Sequence, residues 1–279
     1  MLILLSFTAK AQIKLPAFFA DGMVLQQKSQ VKIWGSAPIG KRIYLSTSWD
    51  KKHYHVKVDT AGKWLIRVTT PTAGGAYQIQ ISGAGKVSIH NILIGEVWLC
   101  SGQSNMDIPL KGYPNTPILN ANDILMDAPD DGLRLFHVGL HSAAQPQTDV
   151  KGSWHAADAA SAQTFSAVGY QFARFIRQHL KVPVGIIQAT WAGSAIEAWM
   201  DKQLVANVLK DSLATDKSLS NAEHRTPGNI YNGMIAPIMG YGMAGVIWYQ
   251  GEQNRFNYYS YPALQTAMVT AWRKEWDSG

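Results

Sequence analysis

The chain has 279 residues, of which 47% are hydrophobic, 16% charged and 10% aromatic, with 25 Lys and Arg against 19 Asp and Glu for a formal charge of +6. This composition excludes a disordered chain, and glycines and prolines without a triplet period exclude a collagen-like one. Cys100 is the only cysteine, which excludes an intrachain disulfide and a cysteine-built zinc site. The basic excess is scattered, with no basic run, so it is not a nucleic-acid footprint.

In chain order, Leu2 to Phe7 are nearly all apolar and Ala9-Lys10-Ala11 follows. An apolar run ending in small-x-small reads as the tail of a secretory signal peptide, here residues 1–11, cleaved before Gln12, although the usual basic start is missing. The run is too short for a bilayer span, which needs about 20 apolar residues. An exported protein, periplasmic or secreted, with no membrane insertion is expected.

Residues 12–94 read as short strands in period two: Val31 to Trp34, Arg42 to Leu45, Tyr54 to Val58, Trp64 to Val68, Tyr77 to Ile81 and Val87 to Ile89. Turn residues such as Asp59-Thr60-Ala61-Gly62 and Gly83-Ala84-Gly85 separate them, which predicts a β-sandwich or barrel. From residue 95 to 279 strand and helix patterns alternate. Val97 to Cys100 is a short apolar run, Val184 to Ile187 reads as a buried strand and Val246 to Tyr249 as a third strand. Val168, Phe172, Phe175 and Ile176 fall on one helical face, and Leu264, Met268 and Trp272 line a last helix. Ser194 and Glu197 have the spacing of a capping box that opens another helix. Such units build a parallel sheet with helices on both faces, with functional groups in loops at the carboxyl ends of the strands.

Three strand ends carry polar loops. Trp98-Leu99-Cys100-Ser101-Gly102-Gln103-Ser104-Asn105-Met106 runs a buried strand into a turn bearing serines. By spacing alone Ser101 and Ser104 read first as ordinary turn residues, because no G-x-S-x-G elbow is present. A serine nucleophile needs a base, and its oxyanion needs donors. Gln188-Ala189-Thr190-Trp191-Ala192-Gly193-Ser194 offers a glycine where backbone must approach a ligand. Trp248-Tyr249-Gln250-Gly251-Glu252-Gln253-Asn254 crowds amides and a carboxylate at the end of a strand. These groups suit an oxyanion donor, or a polar helix cap.

Together these loops resemble the sialate O-acetylesterases of the SGNH hydrolase superfamily. Gly95 to Met106 is similar to the family's nucleophile block, Trp191 to Trp199 to its second block, and Tyr231 to Pro237 and Trp248 to Asn254 to two later stretches. Asp21 to Gln26 and Val31 to Gly35 resemble the β-domain that precedes the hydrolase domain. The resemblance implies an SGNH-like, flavodoxin-like α/β domain over 95–279, preceded by a small all-β sandwich over 12–94. It implies a serine esterase removing O-acetyl groups from sialic acids or related glycans, with Ser104 as nucleophile and no metal or organic cofactor. The oxyanion hole would comprise the N–H groups of Ser104 and Gly193 and a side-chain donor, Gln250 or alternatively Asn254. Gln103, Asn105 and Glu252 would support the site. Ala192 stands where the family commonly has Gly, and Gln253 where it commonly has Ser.

The family's base is a histidine in an Asp-x-x-His beyond the third loop, and no histidine follows His224 here. The expectation is therefore a hydrolase domain incomplete at its C-terminus and a nearly inactive chain. The one Asp-x-x-His match, Asp50 to His53, falls in a hairpin of the β-domain and is rejected as the triad. Gly35 to Arg42 nearly spells a P-loop but has Arg where Ser or Thr must meet Mg²⁺. His53 with His55, and His137 with His141, lack a third ligand nearby. Cys100, inside an apolar strand, reads as a buried structural thiol. Two rivals stand beside sialate: other acetylated polysaccharides as substrate, and a glycan-binding protein that kept the fold and lost the base. The sequence specifies no oligomeric state.

Overall fold

The computed structural model describes residues 12–210 and 222–276, and the expected signal-peptide remnant lies outside them. The first strands are β1 (Val24–Gln26), β2 (Gln30–Ser36), β3 (Arg42–Thr47), β4 (His53–Lys57), β5 (Lys63–Thr69), β6 (Gly74–Ser82) and β7 (Lys86–Gly102). Alternation is cleanest in β5, where Trp64, Ile66 and Val68 are buried between exposed neighbours, as period-two side chains on a one-sided sheet require. β2 and β5 form an antiparallel pair, while β4, β3, β6 and the first half of β7 form an antiparallel ladder. Val31 and Ile33 from the pair share one core with Ile43, Leu45, Ile79 and Ile81 from the ladder.

Four further strands follow: β8 (Asp130–His137), β9 (Trp154–Ala157), β10 (Val184–Thr190) and β11 (Gly245–Tyr249). The second sheet has the order β11-β7-β10-β8-β9, with only the edge strand β9 antiparallel. Residue 95, where the pattern of the sequence changes, lies inside the 17-residue strand β7. Up to Ile94 that strand pairs antiparallel with β6, and from Glu96 it pairs parallel with β10. A Cβ at Gly95 would stand 1.9 Å from the Pro183 carbonyl oxygen, so only glycine allows the segment before β10 to pass there. A single strand thus carries the chain from one sheet to the other without a linker.

The helices are α1 (Ser104–Asp107), α2 (Ala121–Met126), α3 (Ala159–Ala162), α4 (Ala167–Leu180), α5 (Lys202–Leu209) and α6 (Tyr261–Trp276). They lie on both faces of the parallel sheet. Cys100, Leu133, Leu135, Val184 and Ile186 meet Ala167, Tyr170 and Ala173 of α4 on one face. Leu99, Phe136, Ile187 and Ala189 belong to the larger core on the other, which contains Val205 and Leu209 of α5 and Leu264, Met268 and Trp272 of α6. The face expected on α4 needs correction. Val168 and Phe175 are exposed, Phe172 and Ile176 are half-buried, and the residues turned inward are Ala167, Gly169, Tyr170 and Ala173. Small residues let this helix lie close on the sheet, which displaces the bulkier ones to its flank. No helix among the described residues is long and apolar enough to cross a membrane.

Candidate active site

β7, β10 and β11 end level with one another, because Gly102 is in register with both Thr190 and Tyr249. The three polar loops therefore meet at one edge of the parallel sheet. Backbone hydrogen bonds join them directly: Trp191 N–H donates to Gly102 O at 3.0 Å and Gln103 N–H to Tyr249 O at 3.1 Å. Gly102 has φ +140°, and a Cβ there would lie 2.1 Å from Tyr249 O, so the turn before the serine requires glycine.

Ser101 and Ser104 separate clearly. Ser101 is fully buried with its hydroxyl unpartnered, whereas Ser104 opens α1 and is partly exposed. Among the described residues the Ser104 hydroxyl makes no hydrogen bond, and the backbone N–H groups of Ser104 and Gly193 donate to nothing. These groups are the parts an acyl transfer needs, a hydroxyl and two donors for the charge that develops on the carbonyl oxygen.

The expected supporting residues come together as latches. Gln103 Oε1 accepts from Gln250 Nε2 at 3.1 Å, Gly251 N at 3.3 Å and Gln253 N at 3.1 Å. Asn105 Nδ2 donates to Glu252 Oε1. The first loop is thus fastened to the third on both sides of the serine.

The side-chain oxyanion donors need correction. Gln250 Nε2 lies within hydrogen-bond reach of Gln103 Oε1, Ser194 O and Asn254 Oδ1, at 3.1, 3.1 and 2.8 Å. Asn254, 1% exposed, donates through Nδ2 to both carboxyl oxygens of Glu197, at 3.0 and 2.8 Å. Both amide nitrogens are committed inside the protein, and neither has an N–H left for an oxyanion. Glu197 is the cause, since a fully buried carboxylate must be met by donors. The expected capping box fails for the same reason. Ile196–Trp199 is a 3₁₀ turn without a side-chain cap; Glu197 faces Asn254, and Ser194 Oγ accepts from Trp199 Nε1 at 2.9 Å.

No histidine among the described residues hydrogen-bonds Ser104 Oγ. The Asp50 carboxylate accepts from Thr47 Oγ1 and from Lys52 N between β3 and β4, as a turn residue does. His137 ends β8, where burial holds its imidazole below the usual histidine range against the opposing charge of Asp107. Asp107 in turn accepts from Thr190 Oγ1. Burial pushes the Cys100 thiol well up, so it is no nucleophile. No group of three or more His, Cys, Asp or Glu among the described residues is placed to hold a metal ion.

One group escaped the sequence analysis. The 3₁₀ turn Glu223–Arg225 folds over the Gly193 loop. Ala195 N–H donates to His224 O at 3.4 Å, Arg225 Nε donates to Gly193 O at 3.2 Å, and the His224 and Trp191 rings lie 6.1 Å apart at 22°. Burial, with the charge of Arg225, holds His224 below the usual histidine range and hence neutral at pH 7. No motif or period marks this turn; only the tertiary fold brings it to the site.

At the strand ends of this parallel α/β sheet lie a serine hydroxyl and two N–H groups without a hydrogen bond among the described residues, groups of the kind an acyl transfer uses. Residues 94–278 match the family described as carbohydrate esterase, sialic acid-specific acetylesterase, and the chain belongs to that family. It is 26% identical over 310 residues to the sialate O-acetylesterase of Rattus norvegicus, covering 94% of this chain and 56% of the relative. It is likewise 26% identical over 286 residues to the sialate O-acetylesterase of Homo sapiens, covering 94% and 53%. The crystal structure of a carbohydrate acetylesterase from Xanthomonas citri superposes with a TM-score of 0.84 at 36% identity, over 95% of this chain and 58% of that one. The chain thus spans a little over half the length of these relatives.

Proposed function

We propose that this chain carries the nucleophile and oxyanion hole of an esterase that removes O-acetyl groups from sugars. The observation that carries the proposal is that the Ser104 hydroxyl and the N–H groups of Ser104 and Gly193 have no hydrogen bond among the described residues, in loops that meet at one sheet edge. Ser104 Oγ attacks the acetyl carbonyl, and the two N–H groups hold the resulting oxyanion. Collapse expels the sugar oxygen, which takes up the proton lost by the serine, and leaves acetyl-Ser104. Water then releases acetate. The names of the mammalian relatives support acetylated sialic acid as the substrate, and that of the Xanthomonas citri protein supports acetylated carbohydrate more broadly. We further propose export, on the small-x-small pattern of residues 9–11.

A second reading, a glycan-binding protein without turnover, is favoured by the lack of any histidine bonded to Ser104 Oγ among the described residues. A serine without a base is a weak nucleophile, so slow turnover is expected of this chain tested alone. The test is acetate release from O-acetylated sialic acid, acetylated xylan and 4-nitrophenyl acetate, by the chain and by Ser104→Ala. Release that disappears in Ser104→Ala supports the esterase, and the better substrate sets its class. Release that persists in Ser104→Ala, or glycan binding with no release at all, overturns it.

A further inference from the structure

We propose that Arg225 is the specificity-determining residue of this site, reading a carboxylate on the sugar; this rests on the esterase reading above. Its guanidinium is anchored along one edge, since Nε donates to Gly193 O at 3.2 Å. A Cβ built on Gly193 would lie 3.8 Å from Arg225 Nη2 and 3.5 Å from His224 Nε2, so both side chains stand directly over the loop that offers the Gly193 N–H. Arg225 is partly buried, and its Nη1 and Nη2 take no hydrogen-bond partner among the described residues. Among the described residues no ion pair of Arg225 is present.

A partly buried cation with no carboxylate partner among the described residues is a favourable place for an incoming anion. Two coplanar N–H donors match the two oxygens of a carboxylate, which phosphate-like point binding by lysine does not reproduce. The carboxylate would sit beside the oxyanion hole, which places an acidic sugar's ring against the near-parallel Trp191 and His224 rings. The neutral imidazole there adds a hydrogen-bonding group without competing for the anion.

The test compares the binding of N-acetylneuraminate with that of its methyl ester, the same sugar with the charge removed. Binding is measured by NMR titration of the full chain, Ser104→Ala, Arg225→Gln and Arg225→Lys. The acid is expected to bind the full chain and Ser104→Ala about tenfold more tightly than the ester. Arg225→Gln should bring that ratio to about one, and Arg225→Lys, which keeps charge but not the fork, to an intermediate value. Should Arg225→Gln fail to fold, the ratio in Arg225→Lys decides. A purely structural Arg225 weakens both ligands alike and leaves the ratio unchanged, which overturns the proposal. An unaltered chain that shows no preference for the acid, or binds neither sugar, overturns it as well. Failure of the esterase reading shows separately, as acetyl-ester hydrolysis that survives Ser104→Ala.

Discussion

Asn254→Ala separates a structural from a catalytic role for the third loop. The substitution removes the two hydrogen bonds that Asn254 Nδ2 gives Glu197, at 3.0 and 2.8 Å, and the acceptor used by Ile196 N at 3.0 Å and Gln250 Nε2 at 2.8 Å. Asn254 is 1% exposed and Glu197 fully buried, so water does not readily replace what is lost. A hydrogen bond to a charged group contributes about 1.5–3 kcal/mol, and two such bonds are lost together. The expected loss is therefore about 3–5 kcal/mol, which at ~2–4 °C per kcal/mol lowers Tm by roughly 10 °C. Urea denaturation at pH 7 with a parallel thermal scan reads it. Glu197→Gln in the same background should restore about 1–2 kcal/mol, because an amide that has lost two donors is cheaper to bury than a carboxylate that has lost them. A loss below about 1 kcal/mol would refute the reasoning. So would a large fall in ester hydrolysis at unchanged stability, the signature of a direct oxyanion donor.

Two further expectations follow from the same geometry. Gly102→Ala forces a Cβ to within 2.1 Å of Tyr249 O at φ +140°, so it should cost about 1–3 kcal/mol and abolish Ser104-dependent hydrolysis by shifting the turn; a melt and an ester assay read both. Alkaline pH should destabilise the fold through Cys100 and Tyr241, both pushed up by burial, with the Tyr241 hydroxyl donating to Val24 O at 2.6 Å. Above about pH 9–10 the unfolded chain releases these protons while the native state keeps them, so stability falls as pH rises through that range. Urea midpoints from pH 8 to 11 test the slope, and a flat profile contradicts it.

The strand patterns from Val31 to Ile89, the three apolar strands that end in polar loops and the buried stripe of α6 were all legible in the residues. Period-two and period-3.6 burial are local properties that the chain carries wherever it folds. β8 and β9 were not legible. β8 begins with Asp130-Asp131-Gly132 and buries Arg134, so its alternation is broken and only pairing with β10 makes it a strand. The resemblance around Ser104 names it as the expected nucleophile, whereas spacing alone left Ser101 and Ser104 alike, because spacing does not say which hydroxyl is buried.

Sequence by itself determined the family and the three loops, since those depend on residue identity and order. Tertiary structure decided what each polar side chain does, because a donor can be given only once. Glu197, carried inward by the 3₁₀ turn, engages Asn254, and Asn254 engages Gln250. It also brought Arg225 to Gly193 across 32 positions of the chain, a contact that no periodicity encodes and that long-range packing alone creates.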